Sequence, residues 1–361
     1  MSEWKEYKLG EIASFSYGRL PNKSLLGNGP YTTYSGYKYQ ELYPKYNCNE
    51  GDVVLVARGV GGTGDVKLTT QKCYLTNLSI KIDLDNDIVL NKFFYYIYQI
   101  ENLRYLDSGS AQSQITIQDL SNVSIEVPSI FQQKEILSIL SSLDDKIDLL
   151  NRENATLEAM AETLFRQWFI EEAKEDWKEG KLGDEFVFTM GQSPNGDSFN
   201  EDGIGVPMYQ GNADFGFRFP TKRVFTTQPT RFAELNDTLI SVRAPVGAQN
   251  MATERCCIGR GVAAFRYKNN PSYYSYTYYK LKSLLEEIKQ FNDNGTVFGS
   301  ISKSDFENLD IVIPDNDTIK MFQNQVKVID DKIINNNNEI QTLIQTRDGL
   351  LPKLMSNEIA I

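Results

Sequence analysis

The 361 residues are 41% hydrophobic and 12% aromatic, which is enough apolar material for two cores of ordinary domain size. A formal net charge of −11 argues against binding polyanions through overall charge, and no uninterrupted apolar run approaches the roughly 20 residues that span a bilayer. With no histidine at all, His-based acid–base relays, Ser-His and Cys-His pairs and nearly all zinc hydrolase ligand sets are excluded together.

The start, Met1-Ser2-Glu3-Trp4, has no basic stretch followed by an apolar one, so a cytoplasmic chain with no membrane partner is expected. Residues 1–128 mix short strand-like runs, Val53 to Ala57 and the alternating Val123 to Val127, with turn clusters, and close at Pro128. Gly59 to Asp65 is rich in Gly but lacks the Lys and Ser/Thr of a phosphate loop, so it reads as a tight turn. From residue 129 to about 172 Gly and Pro are absent, and Ile136, Leu140, Leu143, Ile147, Leu150, Asn154, Leu157, Ala161, Leu164 and Trp168 follow unbroken 4,3 spacing. That is the seam of a coiled-coil helix.

Residues 177–314 repeat the strand-and-turn character, with Thr238 to Val242 and Asp310 to Ile313 as strands closing at Pro314. Asn270-Pro271-Ser272-Tyr273 lacks the second Pro of an adenine methyltransferase motif, and Asp315, Asp317 and Lys320 miss metal-nuclease spacing by one residue. From 315 to about 356 the seam returns as Phe322, Val326, Ile329, Ile333, Asn336, Ile340, Leu343, Arg347, Leu350 and Leu354. The cysteines, Cys48, Cys73, Cys256 and Cys257, show no paired metal spacing, so reduced thiols and no bound metal are expected.

The chain is thus written twice. Trp4-Lys5-Glu6 with Lys8-Leu9-Gly10 returns as Trp177-Lys178-Glu179 with Lys181-Leu182-Gly183, and Leu143-Asp144-Asp145-Lys146-Ile147 returns as Ile329-Asp330-Asp331-Lys332-Ile333. The offset grows from 173 to 186, so the second copy carries roughly a dozen inserted residues. A repeat this large is a domain plus a connector, far beyond solenoid periods. The expected fold is α+β: two pseudo-two-fold related globular α/β domains separated by two long antiparallel coiled-coil helices. Such an object suits a target with two half-sites.

An antiparallel pair centred on the seam brings position i opposite 490 − i. The rule sets Ile136 near Leu354, Trp168 near Phe322, and Asn154 near Asn336, each seam's single Asn, which would fix the register. Each seam covers roughly 48 Å at 1.5 Å per residue, which makes the pair a ruler.

Most of the negative charge sits on the helices: residues 129–176 carry net −6 and 315–361 carry −2, against −2 for 1–128 and −1 for 177–314. Near-neutral domains can still present basic loops, while acidic helices face another protein; Asp144, Asp145 and Asp148 are the candidate docking acids. Loops in the first domain hold Tyr34, Ser35, Tyr37, Lys38, Arg58, Lys72, Asn77, Gln112 and Gln114. In the second they hold Gln210, Asn212, Arg218, Arg223, Arg243, Arg255 and Arg260. Arg suits guanine, Asn and Gln suit adenine, and Tyr packs on sugar or thymine methyl. Arg58 and Arg243 share one repeat offset with Gly62 and Gly247, so each domain sets an Arg just before a turn, either to read bases or to bond turn carbonyls.

At this point the chain resembles the DNA-sequence specificity subunits of type I restriction–modification systems. Two variable domains alternating with two similar helices carry the resemblance, with Gly109-Ser110-Ala111-Gln112 ahead of Val127-Pro128, Leu164-Phe165-Arg166-Gln167-Trp168-Phe169 ending the first helix, and Leu350-Leu351-Pro352-Lys353-Leu354-Met355 ending the second. The resemblance implies target recognition domains at 1–128 and 175–314, spacer helices at 129–174 and 315–361, and no catalysis by this chain. Each domain would read half of a bipartite double-stranded DNA target. The helices would set the unread spacer and dock two methylation subunits, and two restriction subunits could join. Cofactors are expected only on those partners: S-adenosylmethionine for methylation, ATP and Mg2+ for restriction. The second copy of the glutamine loop reads Gly295-Thr296-Val297-Phe298, with Phe in place of Gln112, which leaves base reading by Gln112 open. Two other classes stay open on residues alone: an adaptor spacing two protein- or glycan-binding domains, and a stand-alone carboxylate enzyme.

Overall fold

The computed structural model describes residues 4–36, 38–59, 62–107, 113–290, 300–356 and 358–359. The chain divides into two compact units, Met1–Leu149 with Glu339–Ile361, and Leu150–Asn338. Neither unit is a simple half of the sequence, because each combines one globular domain with segments of both long helices.

In the first unit, strand Lys5–Lys8 pairs antiparallel with Ser124–Val127, tying the start of the domain to its end. A four-stranded sheet runs in the order Ala13–Tyr17, Ser79–Leu84, Val53–Val56, Val66–Leu68. Val53–Val56 is buried throughout, which explains its unbroken apolar run where a half-exposed strand would alternate. A three-stranded sheet sets Tyr31–Ser35 between Lys38–Tyr43 and Cys73–Leu75, the last pairing being parallel. Helix Asn91–Ile100 packs Phe93, Phe94, Tyr96 and Tyr98 inward.

The second unit repeats this plan. Lys178–Lys181 pairs with Asp310–Ile313, and Thr238–Ser241 is the fully buried strand of a four-stranded sheet. Val206–Tyr209 pairs parallel with Cys256–Ile258, and helix Tyr274–Ser283 matches Asn91–Ile100. Small details recur: Leu9 N donates to Val123 O at 2.8 Å, and Leu182 N to Leu309 O at 2.9 Å. Thr116 with Asp119 and Ser302 with Asp305 form the same capping box ahead of the closing strand.

Paired strands also locate the insertion. Tyr34 lies opposite Leu75 and Tyr209 opposite Ile258, so the offset grows from 175 to 183 between them. The hairpin Tyr31/Tyr43 corresponds to Val206/Thr226, which confines those extra residues to the loop 210–223.

The long helices run Ile130–Arg166, continuing as a π-helical turn Gln167–Glu171, and Asn316–Met355. Ser129 and Asp315 cap them, the latter accepting from Thr318 N at 2.9 Å. In the first unit Ile136 and Leu140 share a core with Leu351 and Leu354. In the second, Trp168 and Phe322 meet edge-on with ring centroids 6.0 Å apart. Within each unit the segments of the two helices are therefore antiparallel. All four cysteines are free and buried.

Candidate nucleic-acid interface

Each domain offers one arginine on a piece of backbone geometry that repeats between the two domains. Arg58 follows Val53–Val56 and forms an isolated antiparallel bridge with Gln114; Arg243 follows Thr238–Ser241 and forms the same bridge with Ser300. Flanking bonds repeat as well, Ile115 N to Ala57 O at 2.9 Å and Ile301 N to Val242 O at 3.2 Å. The two arginines thus leave equivalent sites in the two domains. Arg243 is exposed. Arg58 is half-buried, its guanidinium lies 5.9 Å from the Tyr17 ring, and its buried Nε makes no hydrogen bond. A cavity of about 320 Å³ lined by Ser35, Lys38, Gln40, Val56, Arg58 and Leu78 opens beside it. Its lining combines side-chain donors from Ser35, Lys38, Gln40 and Arg58 with the aliphatic Val56 and Leu78, a combination suited to a planar polar group.

Around these arginines the other loop residues vary in availability. Ser35 and Lys38 face each other at the hairpin end, and Lys72 is exposed with its ammonium 5.0 Å from the Tyr46 ring. Asn77 and Gln114 are half-buried. Gln210, Asn212 and Arg260 are exposed. Arg223 is half-exposed but bonds the buried Asp214, which also takes Gln210 N at 2.6 Å. Arg255 pairs with Glu234 at 3.2 Å and lies 3.8 Å from the Phe232 ring. Tyr37 and Gln112 lie outside the described residues.

Three expected roles are corrected by packing. Tyr34 is buried with Cys48, Val54, Cys73 and Leu75, its ring edge-on to Tyr39 at 4.9 Å, and burial pushes its hydroxyl up to about 12. It is a core residue. Arg218, at 2% exposure, points into the second unit, where its Nη2 lies 2.7 Å from Asp330 and its Nη1 3.8 Å from Glu158. Asp144 is engaged inside the first unit by the Tyr96 hydroxyl and by Arg347 at 2.9 Å, so it is not a bare docking acid. Asp145 and Asp148 are exposed.

The structure brings Asn154 and Asn336 together. Asn336 Nδ2 donates to Asn154 Oδ1 at 2.9 Å and to Glu153 at 3.0 Å, with the two amides 1% and 4% exposed for Asn336 and Asn154. Residues that sequence reasoning missed include Tyr96, Tyr279, Glu158 and Lys282. The repeated Asp-Asp-Lys motif was the available pointer to Asp330, but nothing local marks its tyrosine or arginine partners. Among the described residues no group of three His, Cys, Asp or Glu could hold a metal ion, and no helix is long and apolar enough to cross a membrane.

The family model of the type I restriction modification DNA specificity domain matches residues 1–159 and again 174–346, one match to each half of the repeat. The chain belongs to this family. A Methanocaldococcus jannaschii protein named as a type I restriction enzyme specificity subunit is 32% identical over 266 residues, covering 69% of this chain and 62% of the relative. The match therefore spans less than two thirds of that specificity subunit's own length. The HindI specificity subunit of Haemophilus influenzae is 24% identical, with 99% of this chain and 100% of the relative covered. The crystal structure of a type I restriction–modification S subunit from M. genitalium superposes with a TM-score of 0.64 at 21% identity, covering 98% of this chain and 96% of that one. At that identity the likeness bears on the fold, and it agrees with the specificity-subunit architecture built above from the repeat.

Proposed function

We propose that this chain is the sequence-reading, non-catalytic subunit of a type I restriction–modification complex. Each globular domain reads one half of a bipartite duplex target, and the long helices set the unread gap between the halves. Two methylation subunits bearing S-adenosylmethionine dock on the helical part, and two restriction subunits using ATP and Mg2+ complete the nuclease. The complex acts in the cytoplasm. The observation that carries this reading is the pairing of a specificity-domain match in each half with an arginine held on the same backbone bridge, Arg58 on Gln114 and Arg243 on Ser300. Arginine at the end of a rigid strand can fork onto guanine O6 and N7 in a major groove. Exposed Gln210 and Asn212 add groups able to bond adenine, while Lys72 and Arg260 suit phosphate.

The test is selection of duplexes from a randomised pool by the purified chain bound to its methylation subunit. Two constant half-sites at one fixed spacing are expected. A single continuous site, or no enrichment over random DNA, would reject the reading.

A further inference from the structure

Asp144 and Asp330 are the first acids of the repeated Asp-Asp-Lys-Ile, and they share more than sequence. Each accepts a hydrogen bond from a tyrosine at the same position of the equivalent domain helix: Tyr96 of Asn91–Ile100 donates to Asp144, and Tyr279 of Tyr274–Ser283 to Asp330 at 3.2 Å. Each also takes a guanidinium. The source differs between halves, however. Arg347 reaches Asp144 from the second long helix at 2.9 Å, while Arg218 reaches Asp330 from the inserted loop at 2.7 Å. The first half lacks that insertion, and in the second unit the position equivalent to Arg347 is Ala161 of the first long helix. Two unrelated segments therefore deliver the same group to the same acid.

The set around Asp330 is the more deeply buried. Arg218 also stacks 3.4 Å from the Tyr278 ring, and Glu158, 3.8 Å from Arg218 Nη1, is bonded by Lys282 from the domain helix. One domain loop, one domain helix and both long helices thus meet in a single charged cluster. Buried ion clusters of this kind are often replaceable by apolar residues without loss of stability, whereas they require one geometry to be satisfied. Their strongest use is in setting register and orientation.

We infer that the Asp–Tyr–Arg sets are orientation latches, each fixing the angle of a target domain on its helix segment, so that the complex accepts one spacing between half-sites. Asp144, Tyr96 and Arg347 are the positioning residues of the first unit, and Asp330, Tyr279 and Arg218 those of the second. The consequence for spacing rests on the proposed reading of bipartite DNA; the orientation itself does not.

Two measurements separate these. Spin labels at exposed Glu201→Cys in the second domain and Ala155→Cys on the first long helix report the distance distribution within one unit, the native cysteines being buried. Tyr279→Phe, and the paired change Arg218→Met with Asp330→Leu, should broaden that distribution while the chain stays folded and bound to its methylation subunit. In the duplex selection the same variants should recover the same half-sites with gaps one base pair shorter and longer admitted. Folded variants with wild-type distance widths would overturn the latch. Broadened distances with a single unchanged gap would overturn its role in spacing. If the wild type selects no bipartite DNA, the DNA reading fails, and the distance widths alone decide on the latch.

Discussion

Replacing Asn336 with Leu should destabilise the second unit by about 1–3 kcal/mol, the cost of leaving a buried polar atom without a partner. The magnitude follows from the site. Asn336 Nδ2 is 2.9 Å from Asn154 Oδ1, Asn154 is 4% exposed, and water cannot readily replace the lost donor. Glu153, the second acceptor, keeps Lys332 at 3.5 Å and is partly exposed, so it adds little to the loss. Removing both amides in Asn154→Leu/Asn336→Leu leaves no orphan and should recover most of the stability, giving a coupling of about 1 kcal/mol or more between the two positions. Urea unfolding followed by tryptophan fluorescence in a Trp4→Phe background is a suitable assay, because Trp168 and Trp177 both belong to the unit that holds the pair. Losses that simply add, or a single variant as stable as the wild type, would refute the argument.

The remaining expectations concern charge. Glu185 is 4% exposed, accepts from the Tyr276 hydroxyl at 2.7 Å, and is pushed by burial from its ordinary value of 4.5 up to about 7. A folded-state value raised in this way gives stability that is complete below the unfolded value and lost as pH rises through 7. Glu185→Gln should therefore remove a pH dependence of about 3 kcal/mol and stabilise the protein at pH 8, as read by melting temperature against pH. Arg243→Ala should weaken recognition of one half-site by about 1–3 kcal/mol in competition binding, and Arg58→Ala the other; equal loss on all sequences would mean phosphate contact. Reversing Asp145 and Asp148 to Lys should reduce co-purification of the methylation subunit while leaving circular dichroism of the chain unchanged, and intact co-purification would count against helical docking.

The helix pair was legible because periodicity is a local property: a 4,3 seam needs only its own residues to declare it, and two matched seams define a register. The closing strands, Val123 to Val127 and Asp310 to Ile313, were legible for the same reason. Arg218 was not. An arginine between Gly216 and Phe219 reads as a solvated loop residue, and its burial depends on Glu158, Tyr279 and Asp330, which lie on three other elements. Tyr34 misled because an exposed-looking Thr-Thr-Tyr-Ser run becomes the middle strand of a sheet only once Cys73–Leu75 pairs with it. Asp144 looked like surface charge until Tyr96 and Arg347 were brought to it by the fold. Equivalence between the halves is what rescues part of this, since Arg58 and Arg243 could be singled out by offset alone.

The central claim is that two domains of one chain read two separate half-sites for a methylation partner. Mapping methylated bases across the genome of a host that expresses the chain with its methylation subunit tests it most directly. The account predicts one motif made of two constant half-sites separated by a fixed run of unread bases, with Arg243→Ala altering methylation through one half only. Methylation at a continuous motif, or none that depends on this chain, would contradict it.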